Sequence, residues 1–168
     1  MYFYEDDYKG GDTNNDEGAT TPAPGDWAGL QVSYGDSYLE LNNCRVRYAG
    51  SDSPSAGGFE SGGNGVITNS RIESCINDGI YSTNGNGVVS NTFLLNNGRY
   101  GLNASAPANT LFNGNEILNN ANHGVYIYSG EVIMTNNNFQ NNGGYPVYAY
   151  SSAIFTSPLT GNTRTQVT

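Results

Sequence analysis

The chain has few charged residues and very little positive charge. Of its 168 residues 12% are charged, and only six are Lys or Arg against 15 Asp or Glu, which gives a formal net charge of −9. Binding to nucleic acid or to an anionic membrane surface requires stripes of basic side chains. We therefore expect neither kind of partner, and cations are the more natural ligands.

Long apolar runs are missing and cysteine is scarce. No segment is apolar for long enough to span a bilayer, and the start of the chain lacks the basic and apolar regions of a signal peptide. We expect no membrane insertion, and the start is consistent with a fragment or an excised domain. The two cysteines, Cys44 and Cys75, lie several residues apart along neighbouring copies of the repeat described next, which strains a disulfide. Two buried thiols are expected.

The chain does contain one short phrase that recurs four times, each time followed by a small and then an aliphatic residue. Its apolar anchors recur at about 21 to 24 residues, the range typical of solenoids. These anchors are Ile72, Phe93, Ile117 and Phe139, and an earlier copy at 43–46 matches 69–72. The anchor column is interpreted as core. A turn column of Cys75, Asn96, Asn120 and Asn142 is expected to point inward and hydrogen-bond the backbone.

Alternation of apolar and polar residues predicts strands rather than helices. In the segment 124–128 a period of two places Val125 and Ile127 on one face and the tyrosines on the other, and no apolar run keeps a helical period. Equivalent positions recur in the same direction, so the strands are parallel. The sequence predicts an all-β parallel β-helix of about six to seven coils over residues 27–168. Trp27, at the start of the first strand, is interpreted as a hydrophobic plug over the end of the core, and the alternative is a platform for a carbohydrate.

Residues 1–26 are acidic and show no apolar period, which predicts an N-terminal loop. Within it Asp12, Asn14 and Asp16 place oxygen ligands at alternate positions, the spacing with which calcium loops wrap one ion. The match is partial, because Glu17 replaces the usual glycine and Ala23 the closing glutamate. Two interpretations stay open: a calcium site completed by further aspartates (Asp6, Asp7 or Asp26), and a plain acidic surface loop.

An outward aromatic column is the strongest functional feature. Tyr81, Asn103, Tyr126 and Tyr148 align across four coils, and two further tyrosines, Tyr128 and Tyr150, lie two residues farther along. Tyrosine offers a flat apolar face and a polar edge, which suit a sugar ring or a partner protein. The alternative is that stacked tyrosines only protect a sheet face. The sequence Asn103-Ala-Ser105 also matches a glycosylation acceptor.

The sequence offers little for catalysis. Acid–base chemistry on a glycosidic bond needs two carboxyl groups close to that bond, and the coils after Val66 place no two in adjacent positions of neighbouring coils. The nearest group to a site is Asp78, Arg99 and His123 on three successive coils. Arg47 beside Glu73 is expected to form a surface ion pair of little energetic weight.

The phrase Asn-x-[Phe/Ile]-x-x-Asn followed by Gly-[Ile/Val/Leu] resembles the right-handed parallel β-helix repeat of pectate lyase-like proteins. The start 11–16 and the segment 24–30 look like the opening of β-helix domains in large secreted bacterial surface proteins. The resemblance implies an extracellular or cell-surface location and calcium more than it implies a reaction.

Three functions follow as hypotheses. The first is a non-catalytic, calcium-stabilised segment of a surface or adhesive protein that contacts a polysaccharide or a protein through its tyrosines. The second is a fragment of a polysaccharide lyase or hydrolase. The third is a filament subunit that associates end to end through uncapped coils.

Overall fold

The chain folds into a solenoid of short parallel β-strands. The computed structural model describes residues 21–32, 37–50, 57–83, 86–105, 110–154 and 160–165. The strands in these ranges are β1 Leu30–Val32, β2 Tyr38–Asn42, β3 Arg45–Arg47, β4 Gly57–Ser61, β5 Asn64–Thr68, β6 Arg71–Glu73, β7 Asp78–Ser82, β8 Gly87–Ser90, β9 Phe93–Leu95, β10 Leu102–Ala104, β11 Thr110–Asn113, β12 Glu116–Leu118, β13 Val125–Thr135, β14 Asn138–Gln140, β15 Val147–Ile154 and β16 Thr163–Thr165. Within those ranges no helix has the length and apolar character needed to cross a membrane.

The strands stack into three faces. Sheet 1 contains β1, β4, β7, β10, β13 and β15, sheet 2 contains β2, β5, β8, β11 and β13, and sheet 3 contains β3, β6, β9, β12, β14 and β16. The long strand β13 belongs to two faces, since its first part pairs with β10 and its second part with β11. The solenoid has about five turns rather than six to seven. The sixth copy of the repeat supplies β15 and β16 but no sheet 2 strand among the described residues.

The core column of sheet 3 corrects one predicted anchor. Ile72 pairs with Leu94, which pairs with Ile117, and all three side chains are fully buried. Phe93 instead lies in the outward column, where it is 41% exposed and its ring packs 5.6 Å from the guanidinium carbon of Arg71. The prediction was wrong by one residue because β9 reads Phe-Leu-Leu, so alternation does not distinguish its two faces.

Corner residues explain why the repeat is rich in asparagine. Each sheet 3 strand from β3 to β14 is flanked on both sides by a residue with positive φ, a conformation that glycine and asparagine adopt most readily. The column before the strand is Asn43, Asn69, Asn91, Gly114, Asn136 and, before β16, Gly161; the column after it is Tyr48, Ser74, Asn96, Asn119 and Asn141. These residues turn the chain from one face to the next.

In the later turns, the asparagine that follows a left-handed corner points inward and builds a ladder. Asn120 donates from Nδ2 to the Leu94 carbonyl at 3.0 Å, and its Oδ1 accepts the Asn97 backbone N–H at 3.1 Å. Asn142 repeats both contacts one turn later. The predicted structural role is confirmed, but the ladder passes through Asn97 and not Asn96, which is the corner residue. A second ladder at the other corner contains Asn115, Asn137 and Asn162.

Two other sequence expectations are resolved at the first turns. Both cysteines are free, and Cys75 is buried as expected, whereas Cys44 is only half-buried because it lies beside β3, the edge strand of sheet 3. Trp27 packs against the core and donates from its indole N–H to the Arg47 carbonyl at 2.7 Å. These contacts confirm the plug interpretation of Trp27.

Candidate functional site

The predicted tyrosine column lies on the outer face of sheet 1. Backbone pairing aligns Tyr81 with Asn103, Asn103 with Tyr126 and Tyr126 with Tyr148, as the sequence predicts. Two residues farther along, Tyr128 stacks on Tyr150 with ring centroids 5.3 Å apart, and each of these two side chains is 49% exposed. We call Tyr81, Tyr126, Tyr128, Tyr148 and Tyr150 the tyrosine strip.

A neighbouring corner column adds three rings to the strip. Tyr100 stacks on Tyr126 with centroids 4.9 Å apart and planes within 10° of parallel, and His123 stacks on Tyr148 at 4.8 Å and 6°. Tyr126 and Tyr148 stack on each other at 5.6 Å and 2°, while Tyr145 tilts against His123. These five rings form one continuous cluster over three turns, which we call the aromatic patch.

The sequence analysis did not join Tyr100, His123 and Tyr145 to the strip. The sequence does contain a signal for this corner column, because three aromatic residues each stand two positions before the first core residue of a sheet 1 strand: Tyr100, His123 and Tyr145. Alternation alone does not show that a corner side chain lies beside a strand side chain three residues later. That contact depends on the path of the corner.

Stacking changes what the tyrosines present to a ligand. The rings lie nearly parallel and successive rings belong to successive turns, so each inner ring has its faces covered by neighbours and points its edge outward. Tyr126 is therefore stacked between Tyr100 and Tyr148. Burial raises the pKa of the Tyr100 and Tyr126 phenols, so both hydroxyl groups remain protonated at neutral pH. The patch offers a row of ring edges and hydroxyl groups.

Asn103 interrupts the strip between Tyr81 and Tyr126. Its side chain is only 7% exposed and donates from Nδ2 to Asp78 Oδ2 at 2.8 Å. A glycan acceptor must be reachable, and this amide is buried and already bonded. The glycosylation motif at Asn103 is therefore a fortuitous match.

Asp78 and Arg99 form an ion pair beside the patch, in which the Asp78 side chain is fully buried and the Arg99 side chain is 30% exposed. Arg99 donates from Nε to Asp78 Oδ1 at 2.7 Å and from Nη2 to Oδ2 at 2.5 Å. Burial raises the pKa of Asp78, while the hydrogen bonds from Arg99, Asn103 and the Tyr100 backbone oppose that rise. With four donors on one carboxylate, Asp78 stays ionised at neutral pH. The Arg99 guanidinium carbon lies 5.0 Å from the Tyr100 ring centroid.

His123 does not join that pair. Its Nδ1 accepts the Tyr145 backbone N–H at 2.9 Å, which places the proton of the neutral imidazole on Nε2. Burial lowers the pKa of His123 and favours this neutral form. The structure thus joins Asp78 and Arg99 in an ion pair with each other, and it places His123 in the aromatic patch. The trio has a structural arrangement rather than that of an acid–base site.

One carboxylate on sheet 3 is held by arginines. Glu73 is 4% exposed and is bound by Arg45 and Arg71. Backbone pairing places Arg47 opposite Glu73 on the neighbouring strand, and the ion pair between these two side chains stays a prediction. Across the ranges that the structure describes, no group of three or more His, Cys, Asp and Glu side chains is placed to hold a metal ion.

The proposed calcium ligands Asp12, Asn14 and Asp16 lie outside the described residues, as do Asp6 and Asp7. Asp26 is described, and its Oδ2 accepts the Ala23 backbone N–H at 2.7 Å. That contact closes a local turn before Trp27. The calcium site remains a prediction from the sequence.

Sheet 2 carries a second surface that the sequence analysis did not single out. Its outward column aligns Val66, Val88, Leu111 and Ile133 over four turns and, with Tyr38, lines a shallow groove of about 510 Å³. The signal was present in the sequence as outward apolar residues at equivalent positions of four strands. Nothing in the structure shows what covers this groove.

Comparison with known proteins identifies the fold. A protein-family model described as "Right handed beta helix region" matches residues 28–166. No curated protein and no solved structure matches the chain.

Proposed function

The chain belongs to the family of right-handed β-helix regions, and on that basis we propose that it is a non-catalytic extracellular binding segment of a bacterial surface or adhesive protein. Its ligand is a carbohydrate chain, which lies along the outer face of sheet 1. The aromatic patch is the observation that supports this proposal. Its five rings form one continuous cluster over three turns, and aromatic side chains with polar edges suit contact with a sugar.

The patch suits a saccharide in two ways. The rings of Tyr126 and Tyr148 repeat from one turn to the next with centroids 5.6 Å apart, and their hydroxyl groups can each donate to or accept from a sugar hydroxyl. Tyr145 and Tyr150, which are 63% and 49% exposed, add apolar surface for the C–H groups of a sugar ring. Aromatic side chains hold few rotamers, so ordering them on binding costs little entropy.

A glycan-binding screen tests the proposal. We expect the full chain to bind at least one glycan in the screen. Tyr126→Ala and Tyr148→Ala should each bind that glycan at least about tenfold more weakly, a loss of ~1.4 kcal/mol in binding free energy. Tyr38→Ala is the matched control, because Tyr38 is 59% exposed on sheet 2 and lies away from the patch. Equal binding by all three variants would refute the role of the patch. Binding only to a protein partner, lost in the same two variants, would assign the patch to protein contact instead.

The N-terminal loop is proposed to bind calcium through Asp12, Asn14 and Asp16. Oxygen ligands at alternate positions of an acidic loop support this part of the proposal. We expect the melting temperature to fall when calcium is removed by a chelator, and to recover when calcium is restored. In a Asp12→Asn, Asp16→Asn double variant the chelator should have no further effect. An unchanged melting temperature of the parent chain in chelator would eliminate the site.

A further inference from the structure

Arg99 is the basic side chain that stands beside the aromatic patch. The other arginines among the described residues belong to sheet 3: Arg45 and Arg47 to β3, Arg71 to β6 and Arg164 to β16. Arg99 contacts the patch through Tyr100, whose ring lies 5.0 Å from the guanidinium carbon and 4.9 Å from the ring of Tyr126. Its side chain is 30% exposed, so a ligand on the patch can reach it.

The positive charge of Arg99 is already neutralised inside the protein. Asp78 is 0% exposed and binds the guanidinium through both carboxylate oxygens. Asn103 and the Tyr100 backbone N–H fix the carboxylate from two further directions. A bidentate arginine–carboxylate pair with such support is rigid. Asp78 cannot turn away to release Arg99 to an incoming anion without leaving a buried carboxylate unpaired.

Among the residues that the structure describes, a ligand on the patch therefore meets no available positive charge. A uronate or sulfate group would compete with Asp78 for Arg99 and would also approach a chain with a net charge of −9. A sugar hydroxyl meets neither penalty, because it can bond to the phenol hydroxyl groups without desolvating a charge.

We propose that the aromatic patch selects neutral glycans over uronate- or sulfate-bearing ones, and that Asp78 is the residue that sets this selectivity by neutralising Arg99. This inference rests on the proposed function and adds the chemical class of the ligand. Asp78 acts as a positioning residue, since it is buried and reaches the ligand only through Arg99.

The test compares matched ligands that differ in one group. The probes are β-1,4-glucan and β-1,3-glucan hexasaccharides, the neutral glycan found in the screen, and the C6-oxidised uronate form of each. For the parent chain we expect a neutral-to-uronate affinity ratio of at least about 10 for the probe that binds. In Asp78→Asn that ratio should fall at least about tenfold, since the amide keeps the shape but frees the charge of Arg99. The Asp78→Asn, Arg99→Gln double variant, which carries no freed charge, should not show the gain in uronate binding.

Salt dependence gives a measurement that needs no variant. Repulsion between the acidic chain and a uronate is screened by salt, so uronate binding to the parent chain should strengthen between about 0.05 and 0.5 M NaCl. This result decides the question if Asp78→Asn does not fold, as judged by its circular dichroism spectrum. Uronate binding that equals neutral binding in the parent chain, or that weakens with added salt, would overturn the inference while leaving the proposed function in place. Absence of binding to any glycan would overturn both.

Discussion

Replacement of Asn120 by alanine should be among the most damaging single changes in the solenoid. The Asn120 side chain accepts the Asn97 backbone N–H at 3.1 Å, donates to the Leu94 carbonyl at 3.0 Å and donates to Asn142 Oδ1 at 2.9 Å. Asn120 is 1% exposed, so water cannot replace these partners. Alanine leaves the buried Asn97 N–H without a partner and removes the side-chain hydrogen bond to the Leu94 carbonyl. At about 1–3 kcal/mol for the orphaned N–H and about 0.5–1.5 kcal/mol for the lost bond, the free energy of unfolding should fall by about 1.5–4.5 kcal/mol.

Equilibrium unfolding in urea, followed by circular dichroism and Trp27 fluorescence, measures this loss. Asn122→Ala is the matched control, since Asn122 is an exposed asparagine on the same turn, and it should change stability by less than about 0.5 kcal/mol. Substitutions at Asn119 and Asn120 separate the two roles of asparagine, which are to turn the chain at the corner and to build the ladder. Asn119 has φ of 55°, so Asn119→Gly should be nearly neutral, whereas Asn120→Gly should cost as much as the alanine change. A loss below about 1 kcal/mol for Asn120→Ala, or an equal loss for Asn122→Ala, would refute the ladder as a source of stability.

Three further predictions concern titratable groups. Burial raises the pKa of the Cys75 thiol to about 11. A thiol reagent at pH 8 should therefore label the half-buried Cys44 in the native chain, and Cys75 only after urea is added. Equal labelling rates of the two thiols in the native chain would contradict the burial of Cys75. Burial alone would raise the pKa of Glu73, but Arg71 and Arg45 outweigh it and lower that pKa below 4.5. The Glu73 carboxylate therefore stabilises the fold above pH 4.5, and this contribution is lost as the pH falls through the folded pKa. In the parent chain the urea concentration at the unfolding midpoint should decrease at acidic pH, and Glu73→Gln should make that decrease smaller. An equal decrease in the variant would exclude Glu73 as its source. Burial lowers the pKa of His123 below its usual 6.5, so its ring protons should titrate by NMR at a lower pH in the native chain than in urea. Its small contribution to stability is present above pH 6.5 and is lost as the pH falls through the folded pKa. A native midpoint above the midpoint in urea would contradict the burial of this ring.

Much of the fold could be predicted from the sequence because it repeats. Alternation in 124–128 placed Val125 and Ile127 in the core, where both are fully buried. The match of 43–46 to 69–72 gave the register of β3 on β6 without error. Prediction failed at β9, where three apolar residues in succession leave the inward face undefined, and the same one-residue shift misplaced Asn96.

The candidate site was predictable only in part. The alignment of Tyr81, Tyr126 and Tyr148 follows from the repeat, since residues at equivalent positions of parallel strands become neighbours. The contributions of Tyr100 and Tyr145 were missed. Their rings reach the strip across a corner, and sequence spacing does not give the direction of a corner side chain.

The sequence by itself determined the parallel solenoid, because one phrase repeated at a regular spacing imposes the same pairing at every turn. It also determined that asparagine serves the corners, although not which member of each pair turns the chain and which builds the ladder. Only the tertiary structure decided that the stacked rings turn their edges outward and that Asp78 neutralises Arg99. Both depend on distances between side chains of neighbouring turns, and such distances are set by packing and by rotamers rather than by the order of residues along the chain.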